Sequence, residues 1–172
     1  MKNKRSLLSM LMLIASVSLF AATSFPSFVG TDLSGNPVDD SIFKGKVTVV
    51  NFWFSTCPPC IAELPELDKL NKELQAKGGM VIGINVDTLD ENEKMIEKAK
   101  SILKTKGATY RNITFPSSTE AGKFVRTIMA YPTTYVVDKN GNIVGSPIVG
   151  GITSRSLKRR LLETIDKAYA MN

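Results

Sequence analysis

The chain contains two cysteines, Cys57 and Cys60, and they enclose two prolines in the sequence WFSTCPPC. The mostly apolar run that precedes them, Val47 to Phe54, is rich in β-branched residues and predicts a buried strand. Leucines at helical spacing follow Cys57 and predict a helix whose first turn contains the prolines, where proline is tolerated. The cysteine pair is therefore predicted at a strand-to-helix turn, as a redox pair or as half of a metal site.

The N-terminus has the pattern of a targeting segment. Lys2, Lys4 and Arg5 precede an uncharged, mostly apolar stretch from Leu7 to Ala22, an order typical of a secretory signal. The stretch is short for a membrane span, which needs about 20 apolar residues, but an uncleaved anchor through residues 7–22 stays open as an alternative. We assign residues 1–24 to a signal peptide or N-terminal membrane anchor and residues 25–172 to one domain. That domain is expected outside the cytoplasm, in the periplasm or on the outer face of the cytoplasmic membrane, secreted or anchored.

Composition excludes several classes of partner and site. The formal net charge of +6 falls to +3 without Lys2, Lys4 and Arg5, which is too mild to indicate nucleic-acid binding. The sequence has no histidine and no second cysteine pair, whereas a tetrahedral zinc site needs four nitrogen or sulfur ligands. Two thiolates and a methionine could hold Cu(I), but Met95 and Met129 lie at helical core spacing and are better explained by packing.

The loop between the cysteines is too short for a stabilising role. Stabilisation by a disulfide grows with the length of the loop that it closes, so the Cys57–Cys60 spacing favours chemistry over structure. Cys57 is predicted at the N-cap of the helix, where the helix dipole and free N–H groups lower a thiol pKa. Cys60 lies one turn inside the helix and is expected to be less exposed. We therefore expect Cys57 to attack a substrate disulfide and Cys60 to resolve the mixed disulfide.

The two prolines limit how strongly the Cys57 thiolate is stabilised. Pro58 and Pro59 remove two backbone donors from the first turn, which leaves the Cys60 N–H as a main donor to the Cys57 sulfur. We expect only a moderate lowering of the Cys57 pKa, and hence a reducing to intermediate redox couple.

The rest of the chain alternates between strand and helix patterns and ends in a hairpin and a helix. Asn140-Gly141 is a strong turn signal between the last two strands, and Pro65 is expected to kink the first helix. This order predicts an α/β fold with a mixed sheet flanked by helices. The predicted elements after the first helix are strand Met80–Val86, helix Glu91–Lys106, strand Tyr110–Phe115, helix Thr119–Met129, strands Thr134–Asp138 and Asn142–Val149, and helix Ser154–Ala170.

The run from Phe52 to Cys60, together with Glu63 and Pro65, resembles the thioredoxin superfamily and most of all its exported TlpA/ResA-like group. Tyr131-Pro132-Thr133 matches the loop that faces the active cysteines in that superfamily. The resemblance implies that Pro132 is cis, that the Tyr131 backbone pairs with a substrate chain, and that Tyr131, Pro132, Thr133 and Trp53 form the substrate-binding residues. It also implies a thioredoxin-like fold with an N-terminal hairpin and an inserted helix and strand between the second core strand and the cis-proline loop.

The chain departs from cytoplasmic thioredoxins at three positions. Asn51 stands where they have a buried aspartate, Gly83 where they have a lysine, and Thr56 where a tryptophan is usual. The usual internal proton acceptor is therefore missing. Glu63, one turn after Cys60 on the same face, is the candidate replacement and the third catalytic residue that the resemblance implies. The alternative is a solvent-exposed helix glutamate.

The sequence thus predicts an exported thiol–disulfide oxidoreductase that reduces disulfides of envelope proteins. The resemblance suggests the haem-binding cysteines of apocytochrome c as substrates, and a membrane thiol protein as electron donor. We expect no cofactor, no metal and a monomer. One alternative is a thiol peroxidase, although Phe54 occupies the place of the threonine in the peroxidatic Pro-x-x-x-Thr-x-x-Cys pattern. Another is a copper-delivery protein of similar fold, which the absence of histidine disfavours.

Overall fold

A computed structural model of the chain describes residues 23–171. The predicted signal or anchor at residues 7–22 lies outside the described residues. The fold reaches back to Thr23, whose carbonyl accepts a hydrogen bond from the Ile143 N–H at 2.8 Å. Within residues 23–171, no helix combines the length and the apolar character that crossing a membrane requires.

The described chain forms one mixed seven-stranded sheet with helices on both faces. The strands are β1 (Val29–Asp32), β2 (Pro37–Asp39), β3 (Thr48–Trp53), β4 (Met80–Asn85), β5 (Arg111–Thr114), β6 (Thr133–Val137) and β7 (Ile143–Val149). The helices are α1 (Pro58–Gln75), α2 (Glu93–Thr105), α3 (Glu120–Val125) and α4 (Arg155–Ala170), with 3-10 helices at Asp40–Phe43 and Val86–Glu91.

The strand order β2-β1-β5-β4-β3-β6-β7 places β3 inside the sheet. The β3–β4 and β4–β5 pairs are parallel, and the other four pairs are antiparallel. The two outer strands, β2 and β7, each contain a proline, Pro37 and Pro147. The predicted mixed sheet, the N-terminal hairpin β1–β2 and the inserted pair α2–β5 are therefore confirmed.

Alternate residues of β3 face two separate hydrophobic clusters. Val49 and Trp53 pack in the cluster that contains both cysteines and the buried leucines of α1. Val50 and Phe52 pack in the opposite cluster, which is rich in phenylalanine. Because side chains alternate along a strand, Asn51 lies on the same face as Val49 and Trp53. Asn51 therefore lies on the face of the sheet that packs against both cysteines.

The predicted elements are present, and the largest difference lies in α3. The helix ends at Val125 rather than at Met129. After Val125 the backbone continues in turns, and the Thr127 hydroxyl donates to the Phe124 carbonyl at 2.7 Å, a side-chain bond that competes with helix geometry. Pro132 further disfavours helical backbone just before it. The packing explanation for Met129 was therefore wrong, because its side chain is 94% exposed.

Two smaller sequence features concern Pro65 and the turn before β7. α1 continues through Pro65 as one helix, and the expected kink at this proline stays a prediction. In the predicted turn between β6 and β7, Gly141 has a φ of +85°, a conformation that favours glycine. The Asp138 carboxylate accepts from the Asn140 and Asn142 N–H groups and closes that turn.

Gly83, at the position of the thioredoxin lysine, has no room for a side chain. It pairs with Asn112 of β5, and a Cβ at position 83 would overlap the Asn112 side-chain oxygen. That oxygen accepts the indole N–H of Trp53 at 2.9 Å. The Asn112 amide therefore fills this space and fixes Trp53 beneath the cysteine motif.

We expect Gly83→Ala to lower the free energy of unfolding by about 1–3 kcal/mol, because overpacking displaces Asn112. Urea denaturation measures the change. Asn112→Ala removes the group that obstructs the new methyl, so Gly83→Ala should cost much less in that background. Equal costs in the two backgrounds would contradict this account.

Candidate active site

The cysteine pair lies at the start of α1, where it forms a disulfide between Cys57 and Cys60. Cys57 is the N-cap residue, and its sulfur accepts a hydrogen bond from the Cys60 N–H at 3.3 Å. Pro58 and Pro59 occupy the first two helical positions and have no N–H to offer. The predicted N-cap position and the predicted donor are both present.

The two sulfur-bearing side chains differ little in exposure in this disulfide state. Cys57 is 4% exposed and Cys60 is fully buried, so the difference has the expected sign but is small. Thr56, Pro58 and Pro59 around them are exposed. These three residues therefore form the exposed surface next to Cys57.

The turn before Cys57 is held by side chains at the carboxyl end of β4. The Ser55 N–H donates to an Asp87 carboxylate oxygen at 2.7 Å, and Asn85 donates to the Ser55 hydroxyl at 3.0 Å. The Asp87 N–H in turn donates to Asn85 Oδ1. These residues were not predicted from the sequence. The signal was available, because β3 and β4 are neighbouring parallel strands whose carboxyl ends share one edge of the sheet.

The second loop of the site carries the predicted cis bond between Tyr131 and Pro132. The Pro132 carbonyl accepts from the Gly150 N–H at 2.8 Å, and the Thr133 hydroxyl donates to the Ala130 carbonyl at 2.7 Å. The ring of Tyr131 meets that of Phe54 edge to face, with centroids 5.4 Å apart. The structure thus brings this loop against the segment that leads into Cys57.

Glu63 is fully buried rather than solvent-exposed. One carboxylate oxygen accepts from Asn51 Nδ2 at 2.8 Å, and the other accepts from the Ile152 N–H at 2.7 Å. Burial raises the pKa of this carboxyl from 4.5 to about 7, against the lowering effect of the two hydrogen bonds. Glu63 begins the turn after Cys60, so the site contains a buried carboxyl whose pKa lies near neutrality.

Trp53 has a structural position in the site. Its side chain has no exposed surface and packs in the same cluster as Cys57 and Cys60. In this structure a substrate cannot touch it, so its burial supports the packing role and gives no support to its assignment as a substrate-binding residue. Asn51 and Ile152, the two partners of Glu63, were not among the predicted site residues.

A sequence profile of the Redoxin family matches residues 20–161. The chain belongs to the Redoxin family. Thiol-disulfide oxidoreductase ResA of Bacillus thuringiensis subsp. konkukian is 30% identical over 139 residues, which cover 79% of this chain and 73% of the relative. Thioredoxin-like protein YneN of Bacillus subtilis is 31% identical over 139 residues, which cover 79% of this chain and 75% of the relative.

Solved structures agree with this membership. A thioredoxin-family thiol:disulfide interchange protein from Chlorobium tepidum superposes with a TM-score of 0.63 at 29% identity, covering 84% of this chain and 97% of that one. StoA of Bacillus subtilis gives a TM-score of 0.58 at 23% identity over 78% of this chain and 96% of that one, and supports the fold alone. This Redoxin-family protein is a ResA-like thiol–disulfide oxidoreductase of thioredoxin fold.

The buried carboxyl of Glu63 makes the stability of the disulfide form depend on pH. Its folded-state pKa of about 7 lies above the ordinary value of 4.5, so the unfolded chain releases this proton at lower pH than the folded protein does. The associated stabilisation is complete below about pH 4.5 and is lost as the pH rises to 7. The pKa difference corresponds to about 3 kcal/mol.

We expect the free energy of unfolding of the oxidised protein, measured with denaturant, to fall as the pH rises from about 4.5 to about 7. The free energy of unfolding of Glu63→Gln should not show this fall. The variant is the reference because it keeps a side chain of similar size without a titrating group. Five other carboxyls have lowered pKa values, so they change the free energy of unfolding at lower pH, and they are present in both proteins: Asp32, Asp39, Glu66, Asp68 and Asp90. Parallel pH profiles for the two proteins would contradict the raised pKa of Glu63.

Proposed function

We propose that this oxidoreductase reduces disulfides of proteins outside the cytoplasm, with Cys57 as nucleophile, Cys60 as resolving thiol and Glu63 as proton acceptor. The observation that carries the proposal is the buried Glu63 carboxyl, whose pKa of about 7 suits proton exchange at neutral pH. It lies one helical turn after the buried cysteine, which must lose its proton before it can attack.

The first half of the reaction begins from the dithiol. The Cys57 thiolate attacks one sulfur of the substrate disulfide, and the other substrate sulfur leaves as a thiolate. The Cys60 N–H, which points at the Cys57 sulfur, favours the thiolate form of Cys57 before the attack. The product is a mixed disulfide between Cys57 and the substrate.

The second half closes the internal disulfide. The Glu63 carboxylate takes the proton of the Cys60 thiol, and the Cys60 thiolate attacks the Cys57 sulfur. The second substrate sulfur leaves as a thiolate, so the substrate has gained two electrons and the enzyme holds the Cys57–Cys60 disulfide with a protonated Glu63. The structure corresponds to the disulfide state at the end of this sequence.

The cis-proline loop provides the surface for the substrate chain. The backbone N–H and C=O of Tyr131 have no hydrogen-bond partner among residues 23–171, so they are available to an extended peptide. The half-buried rings of Phe54 and Tyr131 lie beside them. Two exposed apolar side chains add to this surface. Met129, which is 94% exposed, precedes the loop in the chain, and Val149, which is 51% exposed, pairs with Thr133 in the sheet.

The start of α1 supports the reducing direction. A thiolate at a helix N-terminus gains stability from each N–H that it accepts, and the two prolines leave only the Cys60 N–H of the first turn. A weakly stabilised thiolate corresponds to a reducing couple. Catalysis then needs an external dithiol, for which we propose a membrane thiol protein, and no organic cofactor. The predicted signal peptide or membrane anchor at residues 1–24 supports the extracytoplasmic location, and apocytochrome c cysteines are the candidate substrates.

Cys60→Ser should trap the substrate, because the mixed disulfide on Cys57 then has no resolving thiol. Mass spectrometry after mixing the reduced variant with a disulfide-bonded peptide should show an adduct of one peptide chain on Cys57. Cys57→Ser serves as the control and should give no adduct. An adduct that forms faster on Cys57→Ser than on Cys60→Ser would reverse the two roles.

Glu63→Gln should slow closure of the internal disulfide by about 10²-fold at pH 7, because the proton acceptor of Cys60 is lost. Fluorescence of Trp53, the only tryptophan, follows closure in stopped-flow experiments because its side chain packs with both cysteines. Glu66→Gln removes a partly exposed carboxyl of the same helix that pairs with Lys158 and should leave closure unchanged. Equal closure rates for wild type and Glu63→Gln would remove Glu63 from the chemistry.

A further inference from the structure

Asn51 occupies the middle of β3 and joins three elements through its side chain. Its Nδ2 donates to a Glu63 oxygen of α1 at 2.8 Å and to the Thr134 hydroxyl of β6 at 3.0 Å. Both hydrogens of the amide nitrogen are therefore used. The amide oxygen, in contrast, is buried and has no hydrogen-bond partner among the described residues. An unpartnered buried acceptor beside a buried carboxyl calls for an explanation.

Among the described residues, the hydrogen-bond partners of Glu63 are donors only. Asn51 Nδ2 and the Ile152 N–H both donate to the carboxylate. No lysine or arginine among the described residues acts on this carboxyl. Two other ionisable groups belong to this region: the thiol of reduced Cys60, three residues earlier on the same helix, and Tyr110, a buried phenol whose pKa is raised by burial and then by the charges of Glu63 and Asp68.

This arrangement suits a carboxylate and not a carboxylic acid. A carboxylate only accepts hydrogen bonds, whereas a protonated carboxyl must donate one. A protonated Glu63 would face the Asn51 Nδ2 hydrogens with its own O–H, and the Ile152 N–H cannot accept. Since Glu63 alternates between the two forms during catalysis, one of its neighbours has to change from donor to acceptor.

We propose that Asn51 is the positioning residue for proton transfer at Glu63. Its side-chain amide flips, so that Nδ2 and Oδ1 exchange places, each time Glu63 gains or loses its proton. Nδ2 donates to the carboxylate, and after rotation Oδ1 accepts the proton of the carboxylic acid. The proposal rests on the proposed role of Glu63 as the proton acceptor of Cys60. The rotation is about a terminal torsion with a broad, roughly two-fold profile.

Both orientations of the amide use the same partners. After rotation, Oδ1 occupies the place of Nδ2 and receives hydrogens from the Glu63 carboxyl and from the Thr134 hydroxyl, which can act as donor or acceptor. One end of the amide stays unpaired in either state, so neither orientation is strongly favoured by its other contacts. The protonation of Glu63 then decides between them.

Residues of similar size lack this property. An aspartate at position 51 would only accept when ionised, and it would place a second carboxyl beside the first, so that the two could not both ionise at neutral pH. A leucine would offer neither donor nor acceptor. Asparagine is therefore the choice that supports both forms of Glu63 without adding charge.

The rotation is tested on the oxidised protein by NMR, with no substrate present. We expect the two side-chain amide proton resonances of Asn51 to shift with pH, with the same midpoint as the Glu63 carboxyl carbon, near pH 7. In Glu63→Gln the Asn51 resonances should not shift over this range. Asn51 resonances that stay fixed while the Glu63 carbon titrates would overturn the proposal.

Variants at position 51 test the positioning role. Asn51→Leu removes one hydrogen bond to the charged form, so the Glu63 midpoint should rise by about one to two pH units, and closure of the internal disulfide at pH 7 should slow by about tenfold and recover at higher pH. Asn71→Leu is the matched control, because Asn71 is a buried asparagine that accepts from the Val81 N–H. It should lower stability without moving the Glu63 midpoint.

The outcomes separate the two proposals. If Asn51→Leu leaves the Glu63 midpoint where it is in wild type, the positioning role of Asn51 is wrong, whatever the rates. If Glu63→Gln closes the disulfide as fast as wild type, the proposed role of Glu63 is wrong, even when Asn51 titrates with it. If Asn51→Leu does not fold, Asn51→Asp serves instead. The carboxyls at positions 51 and 63 should then titrate in two separated steps. A single step near pH 7 would count against the proposal.

Discussion

The buried carboxyl of Glu63 is bonded to a central strand on one side and to the loop before the last helix on the other. Asn51 of β3 and the backbone of Ile152 supply the two hydrogen bonds. These bonds join α1, which carries the cysteines, to the sheet and to the segment that follows β7. A charge at this depth is costly unless it is hydrogen-bonded, so the position of α1 and the proton chemistry of the site depend on the same few atoms.

That arrangement replaces a strand carboxylate by a helix carboxylate. Asn51 leaves the strand neutral, and the acidic group comes from α1, on the same helix as both cysteines. In the proposed mechanism the helix contributes the nucleophile, the resolving thiol and the proton acceptor, while the sheet contributes the amide that orients the acceptor. Gly83 is part of the same change, because the space beside it is filled by Asn112, which holds Trp53.

Much of the fold was predictable because its signals are local. The continuous apolar run of β3, the spacing of the α1 leucines and the Asn140-Gly141 turn each specify their element without knowledge of the rest. The length of α3 was not predictable from its pattern, since Ile128 keeps the helical spacing while the chain must leave the helix to reach Pro132. The exposure of Met129 follows from that early end and has no signal of its own.

The site was predictable where residues lie close in sequence or match a known motif, as for Cys57, Cys60, Glu63 and Pro132. The partners of Glu63 were not, because Ile152 contributes a backbone N–H that no side-chain pattern reveals. The sequence showed that Asn51 stands where cytoplasmic thioredoxins have an aspartate. It did not show that Asn51 contacts Glu63, which required the structure. The Ser55–Asp87 bond likewise depends on strand order, which places the ends of β3 and β4 side by side.

The prolines in the two outer strands have a consequence for how the molecule meets copies of itself. An exposed sheet edge offers unpaired N–H and C=O groups to any other strand, and a proline interrupts that row because it has no N–H. Pro37 in β2 and Pro147 in β7 place such an interruption at both edges of this sheet. A thiol–disulfide oxidoreductase that meets other protein chains at its surface thereby offers them the cis-proline loop rather than the ends of its sheet.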